Sequence, residues 1–320
     1  REVQVNDVIG LSSRGHNEYI TFDFDDPLGE STCVACGECI QACPTNALSN
    51  VTNNGIDIDK TTRSVCPYCG VGCQVNIHTK DNKILSVDGA KGPANDSRLC
   101  VKGRFGFDFI TSTQRLTEPL IRLANIEKGI NIDPQNPYTH FRKATWDEAL
   151  DVAANGFKTS KENYGAKALA GFGSAKCSNE EAYLFQKLIR TGFNNNNVDH
   201  CTRLCHASSV AALMQTIGSG AVTAPFTTVK DSDVIIVIGA NPSENHPVAA
   251  SYFKQAAKNG CELIVMDPRA QALKNHASHM LQFTPGTDVA LLNAIMHVIV
   301  NEKLYDESYI QSHTTGFEQQ

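Results

Sequence analysis

Eight of the twelve cysteines in this 320-residue chain crowd between positions 33 and 100, most of them two or three residues from the next. Thiols so spaced leave little room for an ordinary apolar core, and the segment must fold around something they bind. Disulfides would need an oxidising compartment; within an otherwise ordinary soluble composition, CxxC spacings read as metal binding in a reducing one. The first run, CVACGECIQACP, sets Cys33, Cys36, Cys39 and Cys43 in the order C-x2-C-x2-C-x3-C-P. That order is the bacterial ferredoxin pattern for 4Fe-4S cubanes, whose fourth cysteine serves a neighbouring cluster; zinc is the weaker alternative. On this pattern Cys33, Cys36 and Cys39 lack a fourth ligand and Cys43 lacks its cluster, so a further cysteine run is expected before Arg1. From residue 33 to 55, the cysteine run and the following NALSNVTNNGIDI, which ends at residue 58, read as small loops and turns.

The second run, CPYCGVGC with the later LCVKGRFG, supplies Cys66, Cys69, Cys73 and Cys100 in the spacing C-x2-C-x3-C-x26-C. This can hold another cubane, with a β-hairpin over CQVNIHTKDNKILSVDG, turning at Asp81 and Asn82, inserted before the last ligand.

A short strand is expected at YITFDFD, and from about residue 116 the texture changes. WDEALDVAANGFKTSKENYG, NEEAYLFQKLIRTG, AASYFKQAAKNG and DVALLNAIMHVIVNEK carry helical periodicity, while AKALAGFGSA, DVIIVIGA and CELIVMD read as strands running into loops. The alternation predicts a doubly wound parallel sheet. The expected fold is therefore α+β and α/β: a ferredoxin-like 4Fe-4S segment over 1–58, a small β-rich 4Fe-4S domain over 59–115, and an α/β domain over 116–320, incomplete at its C-terminus. A net charge of −6 without any Lys/Arg block excludes a nucleic-acid surface. The longest apolar run, VIIVIGA, is far below the roughly 20 residues that cross a bilayer. Beginning at Arg1 without Met and stopping at Gln320, the chain reads as an internal piece of a longer protein.

NVDHCTRLCHASSV, residues 197–210, sets His206 directly after Cys205. From the residues alone the pair could be a nucleophile with its base, a metal thiolate with an acid/base neighbour, or a buried cysteine beside a surface histidine. Adjacent side chains diverge on a helix, which weakens the first. With the two cysteine runs upstream, the chain resembles the molybdopterin oxidoreductase superfamily. Residues 197–210 are similar to the stretch of formate dehydrogenases in which a cysteine or selenocysteine ligates molybdenum or tungsten and a catalytic histidine follows. The resemblance implies that Cys205 is the metal ligand, that His206 positions substrate or accepts its proton, and that Lys102 assists electron transfer between cluster and pterin. Nitrate reductases usually carry another residue after the cysteine, and a related subunit of respiratory NADH dehydrogenase lacks the cysteine.

GANPSENHP, DPRAQ and PGTDVAL resemble the superfamily's guanine-dinucleotide-binding loops at the carboxyl ends of strands. The resemblance assigns Gly239, Asn241, Glu244, Asp267, Arg269, Gly286 and Asp288 to the cofactor, the acids accepting hydrogen bonds and Arg269 facing phosphate. Asn194–Asn197 depart from the family's glycine-containing turn. Cys201 is expected to be structural, Cys177 and Cys261 core thiols, His246 a residue that shapes its loop, and the other histidines surface or satisfied residues. The resemblance further implies a molybdenum or tungsten bis-molybdopterin guanine dinucleotide, formate and carbon dioxide as the substrate pair, and electrons leaving singly through the 4Fe-4S clusters. Their destination would be a flavin-containing NAD-reducing partner in the cytoplasm. It places the other pterin's domain and the substrate-binding arginine beyond Gln320, so the segment alone is expected to be inactive. Two alternatives stand: a nitrate reductase or other bis-pterin molybdoenzyme, and a non-catalytic iron–sulfur electron-transfer subunit.

Overall fold

A hairpin opens the chain: β1 (Ile9–Ser12) pairs antiparallel with β2 (Tyr19–Phe22), the strand expected within YITFDFD. The computed structural model describes residues 1–26, 30–50, 55–129, 131–133 and 135–319, which pack as two units, Arg1–Phe105 with Phe226–Gln320 and Gly106–Pro225. Within the first cysteine run, where loops were expected, lies a five-residue helix, α1 (Glu38–Ala42). It starts from Gly37 at φ 72°, a backbone region that strains any residue with a Cβ. Of the loop expected over 46–58, residues 51–54 lie outside the described residues.

β3 (Lys60–Val65), β4 (Gln74–Lys80) and β5 (Lys83–Gly89) form an antiparallel sheet in that order. The β4–β5 turn falls at Asp81 and Asn82, both at positive φ, as the hairpin pattern predicts. β3 carries no apolar alternation in KTTRSV, and all six of its residues are exposed, so the sequence held no signal for it. Val75, Val87, Ala90 and Leu99 are buried beneath the sheet, and α2 (Val101–Phe105) closes against β5.

The second unit begins with the antiparallel pair β6 (Leu120–Arg122) and β7 (Phe141–Lys143). α3 (Trp146–Tyr164) follows, its first turn capped by the Thr145 hydroxyl, which accepts from the Glu148 N–H. Then come β8 (Gly171–Gly173), α4 (Asn179–Lys187), β9 (Val198–His200), α5 (Thr202–Cys205) and α6 (Ala207–Thr216), with β9 parallel to β8. Ser178 and Glu181 complete a capping box at the start of α4. The four asparagines fill the missing glycine's place by other means. Asn194 adopts φ 61°, and the side-chain amides of Asn195 and Asn197 donate to the carbonyls of Ala166, Lys167 and Leu169 at 2.7–3.2 Å.

The chain then returns to the first unit as β10 (Val234–Ile238), α7 (Pro242–Asn245), α8 (Pro247–Lys258), β11 (Glu262–Met266), β12 (His279–Leu281), α9 (Asp288–Asn301) and α10 (Glu307–His313). β10, β11 and β12 make a parallel sheet in that order. Ile235, Val237, Leu263, Val265 and Leu273 form its core, and each such side chain fully buried contributes about 1.5–3 kcal/mol. The parallel, helix-alternating pattern thus runs through both units, as three strands in one and the β8–β9 pair in the other. Neither β12 nor α10 was foreseen.

α8 ties three parts of the first unit together. Lys254 Nζ donates to the Gln4 carbonyl and Asn6 Oδ1, both at 3.1 Å, and Arg98 Nη1 reaches Ser251 Oγ at 3.3 Å and Gln255 Oε1 at 3.1 Å. Among the described residues no helix is long and apolar enough to cross a membrane.

Candidate functional site

The four cysteines of the second set line one recess in the first unit. Cys66 follows β3, Cys69 and Cys73 lie in the loop before β4, and Cys100 precedes α2. The loop is closed by the Cys66 N–H donating to the Cys73 carbonyl at 2.8 Å. A Cβ on Gly103 would stand 3.3 Å from Leu99 Cδ2, a tight contact, and 3.5 Å from Cys66 Sγ, an ordinary one, so the wall here is closely packed. Burial, then the charges of Cys66, Cys69 and Cys100, push the Cys73 thiol up to about 12. Four thiolates cannot share such a space unless cationic iron offsets them, so the donor set fits a cluster. Among the described residues no three His, Cys, Asp or Glu side chains converge as a single ion would require. The four sulfurs line one recess, with Lys102 and Gly103 in the same wall.

Lys102 also lines this recess, together with Asn245 at the end of α7 and Pro247 and Val248 at the start of α8. Its Nζ donates to the Glu244 carbonyl at 3.2 Å. The cysteine recess and the segment after β10 therefore meet, and Lys102 bonds across that contact.

In the first run, Cys33, Cys36 and Cys39 turn toward one another around Ala35 at φ 49° and Gly37. Burial above all, with the charges of Glu38, Cys39 and Cys33, pushes the Cys36 thiol up against the lowering effect of the Glu38 N–H. Cys43 has different surroundings. The N–H of Leu48, the hydroxyl and N–H of Thr45 and the N–H of Ala47 pull its thiol down to about 7.

The three loops of the parallel sheet lie along one edge. The Gly239 N–H donates to the Met266 carbonyl at 2.9 Å, and the Asp267 N–H to the Leu281 carbonyl at 3.2 Å. Gly239 stands at φ 58° and Gly286 at φ 88°, conformations that favour glycine and let backbone approach a ligand. Asn241 and Asp267 are buried, Asp288 is half-buried at the start of α9, and Glu244 and Arg269 are exposed. Asp267 Oδ1 is held by the Arg269 N–H at 2.8 Å. Three buried oxygens here have no hydrogen-bond partner: Asn241 Oδ1, Ser243 Oγ and Gln271 Oε1. Unpaired buried acceptors each cost about 1–3 kcal/mol, so a bound donor such as a nucleotide's amino or hydroxyl group would relieve them. Ser243 and Gln271 had escaped the residue-by-residue assignment, although both lie inside the quoted loops; only the fold reveals that their oxygens are orphaned.

Cys205 and His206 belong to the second unit. α5 ends at Cys205, the backbone breaks at His206 with φ −150°, and α6 begins one residue later. Both side chains are exposed, as is Cys201, whereas His200 accepts from the Thr202 N–H at 3.1 Å. Arg203 Nε pairs with Asp199 Oδ2 at 3.0 Å across the turn, and the His200 N–H above all, with this pair, holds the Asp199 carboxyl below its ordinary range. A short helix anchored this way presents the thiol to solvent rather than to packing. Cys177 and Cys261 are half-buried rather than core thiols: each donates to a nearby carbonyl, those of Ser174 and Glu262, and Cys261 lies only at the edge of the sheet core.

Comparison with known proteins places these elements. Residues 115–320 match the molybdopterin oxidoreductase family, 59–112 its Fe4S4 domain, and 28–49 a 4Fe-4S binding domain. The provisionally named oxidoreductase YjgC of Bacillus subtilis (strain 168) is 34% identical over 359 aligned positions, covering 99% of this chain and 35% of that protein. A protein of Staphylococcus aureus (strain bovine RF122 / ET3-1), provisionally named a formate dehydrogenase, is also 34% identical, over 100% of this chain and 35% of its own length. The solved structure of acetylene hydratase from Pelobacter acetylenicus superposes with a TM-score of 0.65 at 26% identity, covering 81% of this chain and 34% of that one. The chain thus spans about a third of the length of the relatives it matches.

Proposed function

The chain belongs to the molybdopterin oxidoreductase family, and on that premise we propose that it is part of the catalytic subunit of a formate dehydrogenase. The matched domains bind 4Fe-4S clusters and a molybdenum- or tungsten-pterin. By ligand, the chain divides into 1–58 and 59–115, one cysteine set each, and 116–320 for the pterin nucleotide. The metal–pterin centre supplies two-electron redox chemistry at the formate C–H bond, so that formate yields carbon dioxide, a proton and two electrons. The Cys205 thiolate is the protein ligand to that metal. His206 orients formate or accepts its proton. Gly239, Asn241, Glu244, Asp267, Arg269, Gly286 and Asp288, joined by Ser243 and Gln271, hold the guanine nucleotide. Lys102, between the pterin site and the recess of Cys66, Cys69, Cys73 and Cys100, would assist single-electron transfer to the cluster those cysteines would hold, and Cys33, Cys36 and Cys39 would hold the next. Cys43 serves a neighbouring one. The acceptor is NAD, reached through a flavin-containing partner, and the reducing cytoplasm suits so many thiols.

The observation that carries this reading is His206 set directly after an exposed Cys205 at the break between α5 and α6, in the residue order of formate dehydrogenases. The relatives provisionally named formate dehydrogenases support it. The fold alone does not choose the reaction, since a hydratase shares it. The full-length protein, loaded with pterin and clusters, is to be assayed with formate and an oxidised dye, and with nitrate and a reduced dye. Formate-dependent dye reduction that falls about 10²-fold or more in His206→Gln, with the clusters still reducible, is the expected result. Nitrate reduction, or a fully loaded protein inert to both substrates, overturns it in favour of another molybdoenzyme or an electron-transfer subunit.

A further inference from the structure

Arg104 is the largest fully buried side chain among the described residues, at 2% exposure. It lies in α2, four residues after Cys100, and its guanidinium reaches into the other cysteine run. Nε donates to the Cys36 carbonyl at 2.7 Å, Nη2 to Glu38 Oε1 at 2.7 Å, and Nη1 to Asp88 Oδ1 at 3.1 Å. Glu38 Oε1 also accepts from the Leu99 N–H at 2.8 Å, one residue before Cys100. Asp88 is held on its other oxygen by His78 Nε2 at 3.1 Å. The passage for Arg104 is shaped by Gly37, where a Cβ would come within 2.3 Å of Arg104 Cδ.

One buried cation and two carboxylates are therefore bonded to the Cys36 carbonyl of the first set and to the Leu99 N–H, one residue before Cys100 of the second. Resting on the reading of both sets as cluster ligands, we infer that the Arg104–Glu38–Asp88 triad sets the relative reduction potentials of the two clusters, and with them the direction in which electrons pass. Arg104 is a positioning residue. The physics is that of charge in a poorly polarisable interior: reduction adds negative charge to a cluster, so a nearby cation favours it and a nearby carboxylate opposes it. A triad serving only as a mechanical clamp would behave differently, because loosening it by either partner would expose both clusters to water in the same way.

Redox titration of the full-length protein, followed by the paramagnetic resonance of each reduced cluster, separates the two. In Arg104→Gln the carboxylates are left facing the Cys36 loop, and that cluster becomes harder to reduce. In Glu38→Gln it becomes easier. Each shift is expected at about tenfold in the oxidised-to-reduced ratio at fixed potential, equivalent to about 59 mV for one electron. Asp88→Asn, 42% exposed at its side chain and so better screened, shifts in the same direction as Glu38→Gln by less. Arg104→Lys keeps the charge and restores most of the potential. Shifts of one sign in Arg104→Gln and Glu38→Gln, or no shift in either, overturn the proposal. Should Arg104→Gln lose its clusters, Glu38→Gln and Asp88→Asn decide alone, and an unchanged or lowered potential in both is contrary. Iron and sulfide analysis of the unsubstituted protein distinguishes the deeper failure: without iron bound at both cysteine sets, the cluster reading falls and the proposal with it.

Discussion

Cys73 and Cys43 carry the same thiol in opposite surroundings. Cys73 is buried among three other cysteines and held neutral up to about 12, whereas Cys43 lies among backbone N–H groups that bring it to about 7. Because the thiolate is the nucleophile, iodoacetamide near pH 7.5 is expected to alkylate Cys43 of the cluster-free protein well before Cys73, as read by peptide mass spectrometry. Equal rates would contradict the described surroundings. The same scale shows what a sequence conveys and withholds. Cysteine spacing is local, so both 4Fe-4S domains were legible. The asparagine run was not, because the carbonyls that Asn195 and Asn197 hold come from a turn some thirty residues earlier. Asn195→Ala removes bonds to Ala166 and Leu169 and should cost about 1–3 kcal/mol in thermal or urea unfolding, against a near-neutral Asn194→Gly at φ 61°.

Among elements, α1 and α8 both carry side-chain bonds to distant parts of the first unit, and neither role could be read from pattern. The helical period of α8 was plain, but its bonds to residues 4 and 6 and to Arg98 depend on partners about 150 to 250 residues away in sequence. α1 is too short to show a period at all; it exists because Gly37 turns the chain and Arg104 docks beneath it. Gly37→Ala adds about 1–2 kcal/mol of left-handed strain and about 1–3 kcal/mol of overpacking. Gly55→Ala, at φ 76° with open space around it, carries only the first. Hydrogen exchange over residues 33–43 and 99–104 should therefore quicken in Gly37→Ala and stay near the parent rate in Gly55→Ala. Indistinguishable exchange in the two would remove the packing argument for α1.

For the whole molecule, the alternation of strand and helix was legible, while the grouping of strands was not. β8–β9 and β10–β12 form separate parallel sheets in separate units, and β12 is three residues long, below what periodicity can register. The order along the chain survives this division: first cysteine set, second cysteine set, Cys205 with His206, and the three loops proposed to hold the nucleotide. Each is supplied by a short loop or helix end, and the lysine bond from Lys102 to Glu244 joins the second and the last. The central claim is that the Cys205 sulfur binds the pterin-held metal. X-ray absorption at the molybdenum or tungsten edge of the full-length protein, compared with Cys205→Ser, tests it most directly: the account predicts one sulfur neighbour fewer in the variant, and an unchanged sulfur count would contradict it.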